Sequence, residues 1–187
     1  MAMNTENLIE KQISSKLVFD GVVAHLYLDE ILLPNGEKST REYLKHNGAV
    51  AVLAIDNDDN AYIVNQYRYP HGRVITEIPA GKLDYAEEDH LEAAMRELRE
   101  ETGLTSANVT YLGEYIPSPA LLSEVIYLYY ATDLSIGAQD LDEDEFLSVE
   151  KLPFDTLVQK VLGGEITDGK TVCAVLKVDK LRNEKKL

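Results

Sequence analysis

The sequence lacks several features that define large classes of protein. It contains no tryptophan and a single cysteine, Cys173, so no disulfide can form within the chain. No apolar run approaches the roughly 20 residues that a transmembrane helix needs, and the polar start of the chain does not resemble a secretion signal. A lone thiol in a helical pattern is typical of a buried residue in a reducing compartment, so we expect a cytoplasmic protein.

Positive charge is also scarce. The chain has 18 Lys and Arg residues against 33 Asp and Glu residues, which gives a formal net charge of -15. Such a chain lacks the basic surface that binding to nucleic acid or to an anionic membrane requires, so we expect neither partner. An acidic protein that acts on a phosphate anion would repel its substrate unless cations lie between them. A phosphate substrate would therefore imply a metal.

The 187 residues suit one domain of ordinary size with a small appended element. Strand-forming residues between 16 and 45, interrupted by a turn at 34–36, predict a small N-terminal antiparallel sheet. We place the boundary at Gly48, which gives an N-terminal segment of residues 1–47 and a main domain of residues 48–187. The main domain opens with a hairpin of AVAVLAI and AYIVNQYRY and includes helices at 87–102 and near the C-terminus. The order mixes strands and helices without strict βαβ alternation, so we predict a mixed α/β fold, of the class also written α+β.

The predicted helix at 87–102 is unusually acidic. Residues placed at 100° intervals separate into two arcs. The apolar arc holds Leu91, Ala94, Met95 and Leu98, and the opposite arc holds Glu97, Glu100 and Glu101. Glutamates at i,i+3 and i,i+4 spacing repel one another unless positive charge lies between them. Most acidic helix faces are simply solvated, and we expect that role for Glu87, Asp89 and Glu92.

Three neighbouring features favour a metal site on the glutamate arc. Arg96 lies beside the glutamates and can hold one of them in place, a strand precedes the helix directly, and the Ala80 carbonyl can add an oxygen ligand. Mg²⁺ prefers oxygen ligands from a few carboxylates, together with water and substrate phosphates. The pattern therefore indicates a site for a hard divalent cation.

The same segment resembles the Nudix box, G-x5-E-x7-R-E-U-x-E-E-x-G-U, in which U is an apolar residue. Its second half matches in full at Arg96, Glu97, Leu98, Glu100, Glu101, Gly103 and Leu104. Its first half departs, because one extra residue lies between Gly81 and the helix. Counted from Gly81 the box glutamate is Glu87, and counted from Arg96 it is Glu88. Because a loop absorbs an insertion more easily than a helix, we assign Glu88 and keep Glu87 as the alternative.

The resemblance implies the Nudix fold, a mixed β-sheet core between helices, and hydrolysis of a nucleoside diphosphate linked to another group. It implies that Glu97, Glu100, Glu101 and the Ala80 carbonyl bind Mg²⁺, with Mn²⁺ as an alternative. Glu101, Arg96 and Glu88 then belong to the catalytic set, in which Arg96 orients Glu88.

Further segments are similar to the ADP-ribose pyrophosphatase branch of the family. They are REYLKHNGAVAVL, NQYRYP, TEIPAGKL, Pro119, LDEDEF and TDGKT. The similarity implies that ADP-ribose and water give AMP and ribose 5-phosphate. It also implies a homodimer in which the N-terminal sheet contributes to dimerisation and to substrate contacts. Two alternatives stay open: a pyrophosphatase for another nucleoside diphosphate sugar such as GDP-mannose, and a non-catalytic sensor that binds ADP-ribose. The complete glutamate set argues against the sensor.

Three residues outside the box are candidates for substrate binding. Arg68 and Arg41 can bind phosphate through their guanidinium groups, although each could instead form an ordinary salt bridge. Glu77 could simply end a strand, but in the family an acid at this place lies near the ribose and the metal.

The acidic loop at residues 140–145 is where this branch carries its proposed general base. From its place just before the FLSV strand we assign Glu145, with Glu143 as the alternative. Because the chain has no tryptophan to stack on adenine, Tyr27, Tyr43 or Phe19 would have to do so.

Overall fold

The computed structural model describes residues 5–141, 143 and 145–187. The described residues form two compact units. The first includes the chain up to residue 46 together with residues 118–124, and the second includes residues 47–117 and 125–187. Residues 1–4 of the predicted N-terminal segment, and Asp142 and Asp144 of the acidic loop, lie outside the described residues.

The first unit is built on a three-stranded antiparallel sheet in the order β1, β2, β3. Its strands are β1 (Lys11–Asp20), β2 (His25–Leu32) and β3 (Lys38–Lys45), preceded by a 3₁₀ helix at Glu6–Leu8. Residues 118–124 join this unit through Leu44, which forms a parallel bridge with Leu122. No sequence pattern predicted that segment as part of the unit. β1 is exposed along its whole length, as an edge strand with one neighbour.

The second unit is built on a seven-stranded mixed sheet. Five strands follow one another in the order β10, β5, β4, β9, β8, while β6 pairs with β5 and β7 pairs with β4. β4 and β9 are parallel, and the other pairs are antiparallel. The strands are β4 (Ala49–Ile55), β5 (Asn60–Arg68), β6 (Arg73–Glu77), β7 (Ala80–Lys82), β8 (Leu104–Tyr115), β9 (Ile126–Ile136) and β10 (Leu147–Pro153). A 3₁₀ helix lies at Tyr69–His71, and the α-helices are α1 (His90–Thr102), α2 (Phe154–Leu162) and α3 (Gly169–Asn183).

Helices cover both faces of this sheet. β4 is buried at every residue, as expected for a strand with a helix on each side. Its alternate residues Ala51 and Leu53 pack in one core cluster with residues of α2 and α3. Val50 and Val52 point the other way and pack with residues of α1. The predicted mixed sheet between helices is therefore confirmed.

The predicted hairpin of β4 and β5 is paired only near its turn. Ala54 pairs with Tyr62 and Ile55 pairs with Ala61, and beyond these pairs the two strands find different partners. β5 continues against β6, and β4 continues against β7. The segment from β6 to β7 therefore enters the sheet where β4 and β5 separate, and this places Glu77 and Ala80 in the middle of the unit.

Within the part of the chain that the structure describes, no helix has both the length and the apolar character needed to cross a membrane.

Candidate active site

Helix α1 begins at His90 rather than at residue 87 because Asp89 caps it. The Asp89 carboxylate accepts hydrogen bonds from the backbone N–H groups of Leu91 at 2.9 Å and Glu92 at 3.0 Å. These are among the first N–H groups of the helix, which have no partner within it. Asp89 was predicted to be merely solvated, and that expectation was wrong. Gly103 ends the helix in the left-handed conformation, with φ of 73°.

Glu101 is the most deeply buried member of the glutamate arc. It lies on α1 beside the buried core residues, and its side chain points at β7, where Oε2 accepts a hydrogen bond from the Ala80 N–H at 2.9 Å. Burial raises the pKa of Glu101 to about 8, the Ala80 hydrogen bond opposes this, and the negative charges of Glu145 and Glu97 add to it. Glu101 and Ala80 are therefore in direct contact through the Ala80 N–H, while the predicted role of the Ala80 carbonyl as a metal ligand stays a prediction.

Glu97 lies one turn earlier and packs directly against Gly81. A Cβ added to Gly81 would overlap the Glu97 carboxylate, so glycine is needed here for the close approach of the side chain to the β7 backbone. Burial raises the pKa of Glu97 to about 6, although the neighbouring Arg96 guanidinium opposes the rise. Two carboxylates of the arc therefore stand in positions where negative charge is costly.

Arg96 connects the glutamates with the preceding loop. Its Nη1 donates to Glu97 Oε1 at 2.7 Å and to Glu100 Oε2 at 3.2 Å, and its Nη2 donates to Glu88 Oε1 at 3.3 Å. Glu88 also accepts a hydrogen bond from the Asp84 N–H at 2.7 Å, which fastens the loop to the helix. Burial disfavours the charged guanidinium, but the carboxylates, led by Glu97, outweigh it and raise the pKa of Arg96. Of the two candidates for the box glutamate, Glu88 is thus in contact with Arg96.

Glu145, shortly before β10, lies near the same cluster. Gln66 Nε2 on β5 donates to Glu145 Oε1 at 3.4 Å. The charge of Glu145 contributes to the raised pKa of both Glu97 and Glu101. Glu143, the alternative base, lies in a turn and is exposed. The structure therefore adds Glu145 to the carboxylates around β7.

Beside this cluster lies a second arrangement centred on Glu77, at the end of β6. Arg68 on β5 donates to both carboxylate oxygens of Glu77, from Nε at 2.7 Å and from Nη2 at 2.9 Å. Lys170 on α3 also donates to Glu77 Oε2 and lies 3.1 Å from Asp168 Oδ1. Burial disfavours the Glu77 anion, but the hydrogen bonds and charges of Arg68 and Lys170 outweigh it and lower its pKa. The predicted contact residues Arg68 and Glu77 are bonded to each other.

Lys170 was not a candidate in the sequence analysis, although it belongs to the TDGKT segment that supported the family resemblance. Its partner Glu77 lies 93 residues earlier in the chain. The available signal was local: an aspartate that can cap a helix, followed by a lysine in the first turn of that helix.

The remaining candidates lie in the first unit. Arg41 on β3 pairs with Glu10, with Nε to Oε2 at 3.0 Å, so it forms the salt bridge that was its alternative role. Tyr27 and Tyr43 stack on each other, with ring centroids 5.6 Å apart. Phe19 on β1 is exposed.

The glutamate arc fits a hard divalent cation by its chemistry. It offers the carboxylates of Glu97, Glu100 and Glu101, and two of these have raised pKa values, so the cluster is short of positive charge. In residues 5–141, 143 and 145–187, no three His, Cys, Asp or Glu side chains are already arranged as a metal centre. Glu97 and Glu100 instead bond to Arg96, so a cation would share these carboxylates with the guanidinium.

Known proteins are similar to this chain along most of its length. A family model described as NUDIX domain matches residues 45–174. An ADP-ribose pyrophosphatase from Bacillus subtilis (strain 168) is 40% identical over 172 residues, which cover 91% of this chain and 92% of that protein. A methanol dehydrogenase activator from Bacillus methanolicus is 44% identical over 168 residues, which cover 89% of this chain and 90% of that protein.

A solved structure described as an ADP compounds hydrolase superposes with a TM-score of 0.81 and covers 96% of this chain and 98% of its own. At 21% identity this likeness concerns the fold alone. The family model spans most of the chain and both Bacillus relatives align along nearly their whole length, so the chain belongs to the Nudix family of hydrolases.

Proposed function

We propose that this hydrolase cleaves the pyrophosphate bond of ADP-ribose with water and gives AMP and ribose 5-phosphate. The observation that carries the proposal is the pairing of two clusters around β6 and β7. One is a carboxylate cluster short of positive charge, and the other presents Arg68, whose side chain is 37% exposed. A pyrophosphate can bind the guanidinium of the second cluster while its reacting phosphorus faces the first. The name of the Bacillus subtilis relative supports ADP-ribose as the substrate.

Nudix hydrolases generally use a divalent metal, and we infer that here it is Mg²⁺, with Mn²⁺ as the alternative. Glu97, Glu100, Glu101 and the Ala80 carbonyl would hold it. When bound, the cation supplies positive charge that stabilises the phosphoryl oxygens as they gain negative charge.

Side chains of this protein would provide the proton transfer, the positioning of the glutamates and the binding of the substrate phosphate. Glu145 accepts the proton of the attacking water, with Glu143 as the alternative base. Arg96 holds Glu97, Glu100 and Glu88 in place, and Arg68, supported by Glu77, binds a substrate phosphate.

The N-terminal segment has a separate proposed role. We infer that residues 1–47 mediate a homodimer and contribute Arg41 to substrate contacts, while residues 48–187 form the hydrolase domain. Tyr27, Tyr43 or Phe19 would stack on the adenine. The exposed β1 strand is consistent with dimerisation, and sedimentation analysis of the purified protein measures it directly. Cytoplasmic location stays a prediction from the sequence.

A substrate panel tests the proposed reaction. The protein is incubated with Mg²⁺ and, separately, with ADP-ribose, GDP-mannose, a dinucleotide and a nucleoside triphosphate, and products are separated by chromatography. AMP and ribose 5-phosphate should form fastest from ADP-ribose. Preferred turnover of GDP-mannose would replace the substrate assignment. Binding of ADP-ribose without turnover of any compound would favour a sensor.

The second candidate function is activation of a dehydrogenase, which the name of the Bacillus methanolicus relative suggests. Methanol oxidation by a purified methanol dehydrogenase is measured with and without this protein. A rate increase that needs intact Glu101 would connect activation with hydrolysis. An unchanged rate would remove this candidate.

A further inference from the structure

The first turn of α3 is bonded to the segment that links the two clusters of the site. The Asp168 side chain caps α3 and accepts from the Thr171 N–H at 3.0 Å and from the Thr171 hydroxyl at 2.6 Å. Thr171 Oγ1 in turn accepts from the Ile78 N–H at 2.8 Å, and Lys170 donates to Glu77. Two successive residues of the β6–β7 segment, Glu77 and Ile78, are therefore held by two successive residues of α3.

Lys170 has a defined place in this arrangement. It is buried, and its ammonium group lies between the carboxylates of Glu77 and Asp168. Burial of a lysine is costly unless it is paired, and here both partners are anions. The paired charges fix the position of Glu77 Oε2, the same oxygen that receives Arg68 Nη2 at 2.9 Å.

Arg68 depends on Glu77 for its orientation. Its Nε and Nη2 donate to the two oxygens of the carboxylate, and this bidentate pair fixes the plane of the guanidinium. A rotation of the Glu77 carboxylate would turn this plane with it. Binding of a phosphate by arginine depends on that plane more than on charge alone.

We propose that Lys170 is a positioning residue that acts through Glu77 on Arg68 and so sets the phosphate-binding geometry of the site. The inference deepens the proposed function, and its substrate measurements rest on that function. It assigns no contact between Lys170 and the substrate. Loss of the lysine ammonium should weaken substrate binding while leaving the glutamate arc and its chemistry largely intact.

The variant Lys170→Met removes the ammonium and keeps most of the side-chain volume. Lys177→Met is the matched control, because Lys177 lies two turns later in α3 and donates to the Leu112 carbonyl on β8. Both variants lose a lysine bond made by the same helix, but only the first loses a contact with Glu77. If Lys170→Met does not unfold cooperatively, Lys170→Gln, which keeps a neutral N–H donor, takes its place.

The first measurement needs no substrate. The Nε–H signal of Arg68, assigned by its loss in Arg68→Lys, is followed by nitrogen-15 NMR. We expect its hydrogen exchange to accelerate by about tenfold or more in Lys170→Met and to stay unchanged in Lys177→Met. Equal protection of Arg68 in the wild type and in Lys170→Met would overturn the inference, whatever the substrate of the enzyme.

The second measurement is steady-state hydrolysis of ADP-ribose with Mg²⁺. KM should rise by about tenfold in Lys170→Met while kcat changes by less than about threefold, since the lost interaction is a charge-assisted hydrogen bond that supports binding. Lys177→Met should leave KM unchanged. Equal KM values for the two variants, or a loss confined to kcat, would overturn the inference. If the wild type neither binds nor cleaves ADP-ribose, the proposed function fails and the exchange of Arg68 alone decides the role of Lys170.

Discussion

Glu77 at the end of β6 and Glu101 on α1 are almost equally buried but differ in their preferred charge state. Glu77 is 3% exposed and Glu101 is 2% exposed. The pKa of Glu77 is lowered, whereas burial raises the pKa of Glu101 to about 8. Burial disfavours both anions, so the sign of the shift depends on the neighbours.

The neighbours differ in charge. Glu77 has the cations Arg68 and Lys170 in direct contact. Glu101 accepts a hydrogen bond from the Ala80 N–H, but it has no cation in direct contact among the described residues. The charges of Glu145 and Glu97 raise its pKa, and the more distant charge of Arg68 lowers it. The protein thus supplies its own cations to Glu77, while the Glu101 cluster is short of positive charge. A divalent cation would supply that charge, which is the physical reason for assigning the metal to Glu101 and not to Glu77.

The largest expected effect is on activity at Glu101. Glu101→Gln keeps an oxygen that can accept from Ala80 but removes the charge needed to bind the cation, so turnover with Mg²⁺ should fall by about 10³-fold. The control is Glu92→Gln, which changes an exposed glutamate of the same helix and should retain normal rates. A rate for Glu101→Gln close to that of Glu92→Gln would show that the metal assignment is wrong.

The second largest expected effect is on stability, for which Glu77 and not Glu101 is the sensitive residue. Glu77→Gln leaves Arg68 and Lys170 without their anion, so the free energy of unfolding in metal-free buffer should fall by about 2–4 kcal/mol. Glu101→Gln should be neutral or stabilising under the same conditions, because burial disfavours the Glu101 anion and the amide carries no charge. Urea unfolding of both variants measures the difference. Similar destabilisation by the two substitutions would mean that burial, and not the neighbouring charge, sets their roles.

A smaller effect is the pH dependence of metal-free stability. The pKa of Glu101 in the folded protein is about 8, above its ordinary value of 4.5, so the folded state holds this proton more tightly than the unfolded chain. Its contribution to stability is complete below about pH 4.5 and is lost as the pH rises towards 8. Glu97, with a pKa of about 6, acts in the same direction over a narrower range.

The wild type should therefore lose stability relative to Glu101→Gln by about 1–3 kcal/mol between about pH 5 and pH 8. Other titrating groups affect both proteins and largely cancel in the difference. Glu77 acts with the opposite sign, because its lowered pKa gives stability that is lost as the pH falls below its ordinary value. Mg²⁺ should raise the melting temperature of the wild type at pH 8 more than that of Glu101→Gln. Parallel pH profiles for the two proteins would contradict the raised pKa.

The two clusters also differ in how much of them the sequence could predict. Glu97, Glu100 and Glu101 lie within five residues on one helix. Helical geometry and the match to the box were therefore enough to group them as one candidate site. The choice between Glu87 and Glu88 could not be made by counting, because the inserted residue lies in a loop whose path depends on contacts such as Glu88 with the Asp84 N–H.

The Glu77 cluster depends on contacts between distant parts of the chain. Arg68 and Glu77 were each singled out, but the register of β5 and β6 pairs Arg68 with Arg73 and Glu77 with Val64. Strand pairing alone therefore does not predict the bond between the Arg68 and Glu77 side chains. Lys170 reaches Glu77 from 93 residues away, through the packing of α3 on the sheet. No local spacing encodes such a contact. The mixed α/β order was predictable from the pattern of strands and helices, whereas the mixed sheet between helices was implied by the resemblance to the Nudix family.

The smallest expected effect concerns a third carboxylate, Asp89, which is exposed and has a lowered pKa because the N–H groups of Glu92 and Leu91 donate to it. Asp89→Ala should lower the melting temperature by about 2–4 °C, since the first turn of α1 loses its cap. Asp89→Asn should keep most of the stability, because the amide oxygen can accept the same hydrogen bonds. A calorimetric scan of both variants separates the two contributions. If Asp89→Asn were as destabilised as Asp89→Ala, the charge of Asp89 and not its hydrogen bonds would support the helix.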